Sequence, residues 1–233
     1  MIKIGVVGLN GRMSKVIIEE INKHPDCNLS GALVRSKSIY SNIAQYEDIL
    51  ELAKISDAII DFSNPTTSIE LAKKLAHNNI PIICGTTGFT NEEFLELKQA
   101  AQNLPIIWSA NMSVGVNLLQ KLLKLAASKL NNDFDSAIID IHHRHKKDAP
   151  SGTALMLAKT IEEINPAHRV QISSLRIGEV PGDHQIIFSS DNESISLSHQ
   201  AFNRNIFASG AIKACLWAQN RQNGLYSMQD VLN

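Results

Sequence analysis

Cysteine is scarce in this chain: three occur among 233 residues, at Cys27, Cys84 and Cys215. They are far apart, odd in number, and without a neighbour at a spacing typical of metal ligands. This excludes a disulfide scaffold and a cysteine-based zinc site. We interpret all three as free thiols of a protein that works in a reducing compartment.

An excess of one charge and long apolar runs are also missing. The chain has 22 Lys and Arg against 23 Asp and Glu, for a net charge of −1, so its composition does not indicate nucleic acid as a partner. No stretch reaches the roughly 18 to 20 apolar residues that span a bilayer. Met1 leads directly into a strand-like segment, without the charged and apolar regions of a signal peptide. These features predict a cytoplasmic protein with no membrane partner.

Short apolar strands alternate with helical segments in the first half of the chain, which is typical of βαβ units and a parallel sheet. The strands are continuous apolar runs, as expected when both faces of a sheet are covered. The predicted strands are 2–7, 28–34, 58–62, 81–84 and 105–109, with helices through about residue 23, over 66–77 and over 91–101. We predict an α/β fold with an N-terminal Rossmann-like domain.

The pattern changes in the second half. It predicts a long amphipathic helix over 114–130, a strand over 137–141, a helix ending near residue 164, and short strands over 170–177, 185–190 and 194–199. This combination indicates a smaller α+β domain with a mixed sheet. A last helix over 208–219 could return to the first domain. The predicted domains are 1–113 with 208–233, and 114–207, and we expect them to meet at a cleft.

A glycine-containing turn joins the first strand to the first helix, which is where a dinucleotide-binding motif must stand. The turn reads Gly8-Leu9-Asn10-Gly11-Arg12-Met13. Asn10 and Ser14 replace the second and third glycines of the usual pattern; Asn tolerates positive φ, and Ser is small enough for close packing. An ordinary strand–helix turn is the alternative. The position at the start of a βαβ series favours a nucleotide site.

No carboxylate follows the second strand, which ends in Val34-Arg35-Ser36-Lys37. An acid there would bind the ribose of NADH, whereas Arg35 and Lys37 suit the 2′-phosphate of NADPH. NADPH is therefore favoured over NADH, although both cations could be ordinary surface residues. The Gly85–Gly88 loop, after the fourth strand, adds a second segment at the carboxyl edge of the sheet.

A basic segment follows the apolar run 138–141. It contains His142, His143, Arg144, His145, Lys146 and Lys147, and a Pro-Ser-Gly-Thr turn and a helix come after it. A cationic loop before a helix N-terminus predicts a pocket for a small anion, with imidazoles and amines to supply charge and protons. A solvated surface loop is the alternative. A zinc site of the three histidines is rejected, because the lysines would repel a cation, and no metal is expected.

From end to end, the chain resembles the 4-hydroxy-tetrahydrodipicolinate reductase family, also called dihydrodipicolinate reductase. The pairing of His142-His143-x-x-Lys146 with Asp148–Thr153 is highly specific to that family, whereas the glycine turn is not. The other matching segments are Gly8–Met13, Gly85–Phe89, Ser109–Asn117 and Arg176-x-Gly178-x-x-x-Gly182-x-His184.

The resemblance implies an NAD(P)H-dependent oxidoreductase of the diaminopimelate route to lysine, which reduces a small dicarboxylate and forms a homotetramer. It implies that His142 and Lys146 are the catalytic pair, and that His143, Gly152 and Thr153 hold the substrate's carboxylates. The second domain would bind substrate and assemble the subunits. The residues implied to line the cofactor are Gly8, Leu9, Asn10, Gly11, Arg12, Met13, Arg35, Gly85, Thr86, Thr87, Ser109, Ala110, Asn111 and Met112.

Three positions depart from the family pattern: Val34 replaces an acid, Asp140 a glutamate, and Ser14 a glycine. Two other functions are the alternatives. A semialdehyde dehydrogenase would need a nucleophilic cysteine, but Cys84 lies in an apolar strand. A nucleotide-sensing module would need no proton donors, and His142 with Lys146 argues against it. Arg176 and His184 could reach the cleft or be structural, and Arg144, His145 and Lys147 would add positive potential.

Overall fold

The structure is a computed structural model, and it describes residues 1–36, 42–130, 133–166 and 169–233. It divides into two compact units: Met1–Ser113 with Asn205–Asn233, and Val114–Arg204. The C-terminal part of the first unit begins at Asn205, three residues before the predicted return at residue 208. The reason is that the last long helix already begins there, and Asn205 Nδ2 donates to Glu20 Oε1 at 2.7 Å.

Eleven strands and eight helices are present in the described residues. In chain order they are β1 (Ile2–Val7), α1 (Arg12–Lys23), β2 (Cys27–Leu33), β3 (Gln45–Tyr46), α2 (Ile49–Ala53), β4 (Ala58–Asp61), α3 (Pro65–Leu75), β5 (Ile82–Cys84), α4 (Asn91–Ala100), β6 (Pro105–Trp108), α5 (Val114–Lys129), β7 (Asp135–His142), α6 (Gly152–Ile164), β8 (Val170–Arg176), β9 (Asp183–Ser189), β10 (Ser194–Gln200), α7 (Asn205–Ala218), β11 (Gly224–Tyr226) and α8 (Met228–Val231).

A seven-stranded sheet forms the centre of the first unit, in the order β11-β6-β5-β4-β1-β2-β3. Every described pairing in it is parallel. Strands β4 and β5 are buried along their whole length, which is why their sequences are unbroken apolar runs. The predicted Rossmann-like domain is confirmed.

The strand order reverses between β1 and β4. The chain first adds β2 and β3 on one side of β1, and then β4, β5 and β6 on the other side. At such a reversal the loops after two neighbouring strands diverge and leave a crevice at the carboxyl edge, where ligands of this fold class bind. The loops after β1 and β4 are therefore expected to bind the nucleotide.

Four short elements of the first unit escaped the sequence analysis: β3, α2, β11 and α8. Two or three residues in a strand are too few to show a periodic pattern. β3 and β11 are defined by their pairing with β2 and β6 at the two edges of the sheet. Their existence therefore depends on the neighbouring strand.

The second unit has a four-stranded mixed sheet in the order β10-β9-β7-β8. β7 and β8 are parallel and are linked through α6, whereas β9 runs antiparallel to β7 and β10. Side chains of α5 and α6 pack with Ile138, Ile186 and Phe188 of the sheet in one apolar core. The predicted mixed-sheet domain is confirmed.

Two pairs of adjacent leucines in α5 divide between the core and the surface. Leu119 and Leu123 are buried, but Leu118 and Leu122 are 50% and 44% exposed. Adjacent residues on a helix are about 100° apart, so only one of each pair can face the core.

Candidate active site

The turn between β1 and α1 has the geometry that close approach of a phosphate requires. Gly8 has φ +82°, a conformation that side chains with a Cβ rarely adopt. Gly11 is the N-cap of α1 and has no side chain to cover the first turn. The buried Ser14 donates from Oγ to Val7 O at 3.2 Å and so holds the helix against the strand. The helix N-terminus is thus exposed to an anion.

A cavity of about 680 Å³ lies at this turn. Five residues predicted to bind the cofactor line it: Gly8, Leu9, Asn10, Gly11 and Arg35. Arg12, Met13, and the residues of the 85–87 and 109–112 segments are not in its lining. Two larger hollows, of about 870 and 730 Å³, lie elsewhere in this unit, and the predicted cofactor residues do not line them. We assign the nucleotide to the cavity at the glycine turn because the N-terminus of α1 opens onto it.

Several other residues of this cavity are not predicted from the sequence. Ser63 and Asn64 come from the loop after β4, where Asn64 caps α3 by accepting from Thr67 N at 3.0 Å. A strand end followed by Asn-Pro was a usable signal for such a loop. No comparable sequence signal marks Glu47, Glu70 and Lys74. They come from the end of β3 and from α3, and only the fold brings these elements to the cavity.

Charges of both signs therefore line the cavity. Arg35 and Lys74 suit a phosphate, while Glu47 and Glu70 suit ribose hydroxyls. The carboxylate that seemed absent after β2 is supplied by the residue after β3, the strand that pairs with β2. Lys37, the second cation proposed for the 2′-phosphate, lies outside the described residues. These residues fit a dinucleotide, and the mixture of charges leaves the choice of cofactor open.

The Gly85-Thr86-Thr87 segment is held by buried polar contacts. Ser68 Oγ donates to the Asp61 carboxylate and lies 3.0 Å from Thr86 Oγ1. Trp108 Nε1 donates to Thr86 O at 3.0 Å. A Cβ on Gly85 would stand 2.3 Å from the ring of Phe62, so any larger residue there would force that ring to move. Burial raises the pKa of Asp61.

The thiol of Cys84 is unsuited to nucleophilic attack. The residue is fully buried, and this burial raises the pKa of the thiol to about 12. A thiol with this pKa is almost wholly protonated near neutral pH. This argues against a semialdehyde dehydrogenase mechanism based on Cys84.

The second unit contains a buried polar network at the end of β7. Asp140 is fully buried and its Oδ1 lies 2.8 Å from His142 Nδ1 and 3.4 Å from His184 Nε2. Its Oδ2 accepts from Ser151 N at 2.9 Å and from Arg176 Nη2 at 3.1 Å. Burial alone would raise the pKa of Asp140, but these hydrogen bonds outweigh it and lower the pKa to about 2. Asp140 is thus an anion at neutral pH.

His142 and Lys146 lie near one another at this network. Burial lowers the pKa of His142, Asp140 opposes that effect, and the charge of Lys146 lowers the pKa further. Lys146 Nζ is 2.9 Å from Asp148 Oδ1, and Arg176 Nη2 donates to Asp148 O at 2.6 Å. Lys146 is therefore linked to the network through Asp148, whereas Arg144, His145 and Lys147 are exposed.

The predicted carboxylate-binding residues stand at the start of α6 and in the loop before it. Ser151 is the N-cap of α6 and accepts from Ala154 N at 3.1 Å. Gly152 and Thr153 form the first turn, where a helix directs N–H groups toward an anion. The ring of His143 is half-buried, with its centroid 6.3 Å from that of His145.

In the described part of the chain, Asp140, His142 and His184 have the donor atoms of a metal site, within 4.8 Å of one another. Arg176 shares the same carboxylate at 3.1 Å, and its fixed positive charge opposes a cation there. This group is also different from the three histidines of the basic segment. We interpret the network as a site that transfers protons and binds an anion.

A nucleotide cavity on a Rossmann-type sheet, together with a second unit that carries imidazole and ammonium groups, defines a dinucleotide-dependent oxidoreductase. The sequence profiles of dihydrodipicolinate reductase match residues 2–112 (N-terminus) and 115–232 (C-terminus). The chain therefore belongs to the dihydrodipicolinate reductase family.

Individual relatives agree over the full length. A 4-hydroxy-tetrahydrodipicolinate reductase of Rickettsia canadensis is 44% identical, with 99% of this chain and 98% of the relative covered. One of Zymomonas mobilis is 42% identical, at 99% and 97% coverage. A dipicolinate-bound dihydrodipicolinate reductase from Paenisporosarcina has a TM-score of 0.87 at 26% identity, covering 99% of both chains. A diaminopimelate dehydrogenase of C. glutamicum, with a TM-score of 0.63 at 14% identity, shares the fold alone.

Proposed function

We propose that this chain reduces 4-hydroxy-tetrahydrodipicolinate to tetrahydrodipicolinate with a nicotinamide cofactor, as a step of the diaminopimelate route to lysine. The observation that carries the proposal is the Asp140–His142 contact at 2.8 Å, next to Lys146 and the N-terminus of α6. It combines proton-transfer groups with an anion site in one unit. The named relatives and the family match support the same substrate.

The residues of the second unit have two roles. His142 and Lys146 supply the proton that the reduced ring takes up. His143, Gly152 and Thr153 bind the carboxylates of the substrate, a small dicarboxylate. Arg144, His145 and Lys147 add positive potential that attracts the dianion. The nicotinamide, when bound, supplies the hydride.

The residues of the first unit hold the cofactor. Gly8–Met13 bind its pyrophosphate with backbone N–H groups at the N-terminus of α1. Arg35 lies at the adenosine ribose. We assign Gly85, Thr86 and Thr87 and the segment Ser109, Ala110, Asn111 and Met112 to the nicotinamide half. NADPH is the favoured cofactor, on the strength of Arg35 and Val34, with NADH as the alternative. Glu47 and Glu70 in the cavity lining favour NADH more than the sequence alone suggested.

We extend the proposal to assembly and location. The family resemblance implies a homotetramer, and the second unit offers an open sheet face for it. Cytoplasmic location follows from the expected reducing compartment. Among the described residues, no helix is both long and apolar enough to cross a bilayer.

One assay tests the proposed function. The purified protein is supplied with the condensation product of pyruvate and aspartate semialdehyde, and the loss of reduced-cofactor absorbance is followed with NADPH and NADH separately. We expect oxidation that depends on the condensation product. An absence of oxidation with both cofactors would contradict the proposal.

A pair of lysine variants tests the site. Lys146→Ala should lower kcat by about 100-fold or more, the usual contribution of a general acid, and leave cofactor affinity unchanged. Lys147→Ala removes a neighbouring, exposed charge and serves as the matched control, with an expected change of only a few-fold. An equal loss in both variants, or a parallel loss of cofactor affinity, would mean that Lys146 is structural.

A further inference from the structure

The two oxygens of the Asp140 carboxylate have different partners. Oδ2 accepts three hydrogen bonds, from Ser151 N at 2.9 Å, from Ser174 Oγ at 3.1 Å and from Arg176 Nη2 at 3.1 Å. These donors come from the start of α6 and from β8, and they fix the carboxylate from two sides. Its other oxygen, Oδ1, is thereby held in one direction.

That direction is toward two imidazoles. Oδ1 lies 2.8 Å from His142 Nδ1 and 3.4 Å from His184 Nε2. In the described structure neither Oδ1 nor His142 Nδ1 has a well-aligned hydrogen-bond partner. The two buried atoms are thus close together, but they do not form a well-aligned hydrogen bond. Each of them can still make one. A carboxylate can only accept a hydrogen bond, so the imidazole nitrogen beside it must carry a proton.

Gly182 lies beside the opposite edge of the His142 ring. A Cβ on Gly182 would stand 2.9 Å from His142 Nε2, and Gly182 has φ +157°. The ring of His184 lies 5.3 Å away in an edge-on arrangement. Because Gly182 has no Cβ, space is left beside Nε2, whereas Asp140 Oδ1 stands against Nδ1.

We propose that Asp140 is a positioning residue that holds the proton of His142 on Nδ1, so that Nε2 is the nitrogen that exchanges protons during reduction. The proposal rests on the proposed function and names the atom through which His142 acts. In the step, the substrate ring gains a hydride from the nicotinamide and one proton. When His142 gives that proton, its Nε2–H bond breaks, the imidazolium becomes neutral imidazole with the proton on Nδ1, and solvent restores Nε2–H.

Charged groups from every neighbouring element act on His142. Asp140 on the same strand favours its protonated form, whereas Lys146 in the following loop and Arg176 on β8 disfavour it. His184 on β9 is neutral near pH 7, because burial lowers its pKa to about 4. Asp140 is thus the anion that offsets two cations, and its removal leaves His142 with burial and positive charge alone.

The variant Asp140→Asn separates this role from a scaffolding role. The Asn side chain can keep its oxygen toward the three donors that Oδ2 now accepts from. Its NH₂ group then faces His142 Nδ1 as a donor, which forces the neutral ring to carry its proton on Nε2. A ring in that state cannot become imidazolium without placing two donors against each other.

The first measurement is the tautomer of His142 by ¹H–¹⁵N NMR of histidine-labelled protein at a pH where the ring is neutral. The His142→Gln spectrum assigns the signals. We expect the Nδ1–H tautomer in the unsubstituted protein and the Nε2–H tautomer in Asp140→Asn. An Nε2–H tautomer in the unsubstituted protein would overturn the proposal, and this result does not depend on whether the substrate is correct.

The second measurement is turnover against pH. We expect Asp140→Asn to lower kcat about 100-fold with little change in cofactor KM, and to move the His142 limb of the profile to lower pH. Asp140→Glu should recover part of kcat, since it restores the anion. Ser173→Ala changes an exposed neighbouring residue of β8 that is not among the donors to Asp140, so it is the matched control and should keep the normal pH profile.

The outcomes distinguish the two proposals. If the unsubstituted protein oxidises no cofactor, the proposed function fails, while the tautomer still tests Asp140. If it is active and the pH limb of Asp140→Asn stays where that of Ser173→Ala lies, Asp140 is only structural and the positioning role is refuted.

Discussion

Individual residues decide which cofactor the protein prefers. Arg35 stands in the cavity lining with Lys74, and both can bind a 2′-phosphate, but Glu47 and Glu70 line the same cavity. A buried or partly buried hydrogen bond to a charged group contributes about 1.5–3 kcal/mol. Arg35 alone could therefore change the preference between the cofactors by about tenfold or more.

We predict that Arg35→Ala raises the KM for NADPH about tenfold more than the KM for NADH, because only NADPH loses a charge-assisted contact. Steady-state kinetics with each cofactor measures the two ratios. Lys15→Ala removes an exposed charge on α1 that is outside the cavity lining and serves as the control. Equal changes with both cofactors would refute the assignment of Arg35.

His184 makes the stability of the second unit depend on pH. Burial lowers its pKa from 6.5 to about 4 in the folded protein. The unfolded chain therefore binds a proton between pH 6.5 and about 4 that the folded protein does not bind. Stability is present above pH 6.5 and is lost as the pH falls through this window, at up to about 1.4 kcal/mol per pH unit.

We predict that urea unfolding of His184→Gln depends less on pH between 6.5 and 4 than that of the unsubstituted protein. His142 and His199, whose pKa values burial also lowers, retain part of the slope. His145→Gln changes a largely exposed histidine and should keep the full slope. An unchanged slope in His184→Gln would show that another group carries the dependence.

At the scale of elements, α7 packs closely against the segment after β6 at Gly210. A Cβ on Gly210, in the middle of this helix, would stand 1.7 Å from Met112 O. Met112 belongs to the segment after β6 that is proposed to line the cofactor. The helix α7 can therefore approach this segment closely only because residue 210 is a glycine, which has no side chain.

We predict that Gly210→Ala destabilises the first unit by about 1–3 kcal/mol or more, because α7 or the 109–113 segment must move. In a chain of this size each kcal/mol lowers Tm by about 2–4 °C. Differential scanning calorimetry measures the change, with the exposed neighbour Ser209→Ala as the control. Equal Tm values for the two variants would contradict the packing argument.

At the scale of the whole molecule, one face of the sheet in the second unit is a candidate surface for contact between subunits. The face that packs on α5 and α6 includes Ile138 and Phe188. The opposite face carries Ala137 paired with Ile187 and Ile141 paired with Leu175, and α5 and α6 do not cover it. A face of this kind, apolar at its centre, is typical of a surface that pairs with another subunit.

We predict that the protein sediments as a tetramer of 25.6 kDa chains, and that Ile187→Glu shifts it to smaller species. A charge in the middle of a buried apolar face is costly. Leu125→Glu, on the exposed side of α5, is the control and should leave the assembly intact. A monomer in the unsubstituted protein would rule out the tetramer.

The sequence determined the order of the long elements. Continuous apolar runs such as Ile59–Ile60 report burial on both faces, and the cap at Asn64-Pro65 marks a helix start. These signals are local, so they can be read without the fold. The glycine turn and the His142–Lys146 segment were identified in the same way, because each lies within one stretch of chain.

Only the tertiary structure decided which distant residues lie next to these motifs. Glu47 reaches the nucleotide cavity because β3 pairs with β2, and a two-residue strand leaves no periodic signal. Asp140 joins Ser151, Arg176 and His184, which come from three other elements. The basic segment was visible in the sequence, but the anion that orients it depends on contacts between residues distant in the chain.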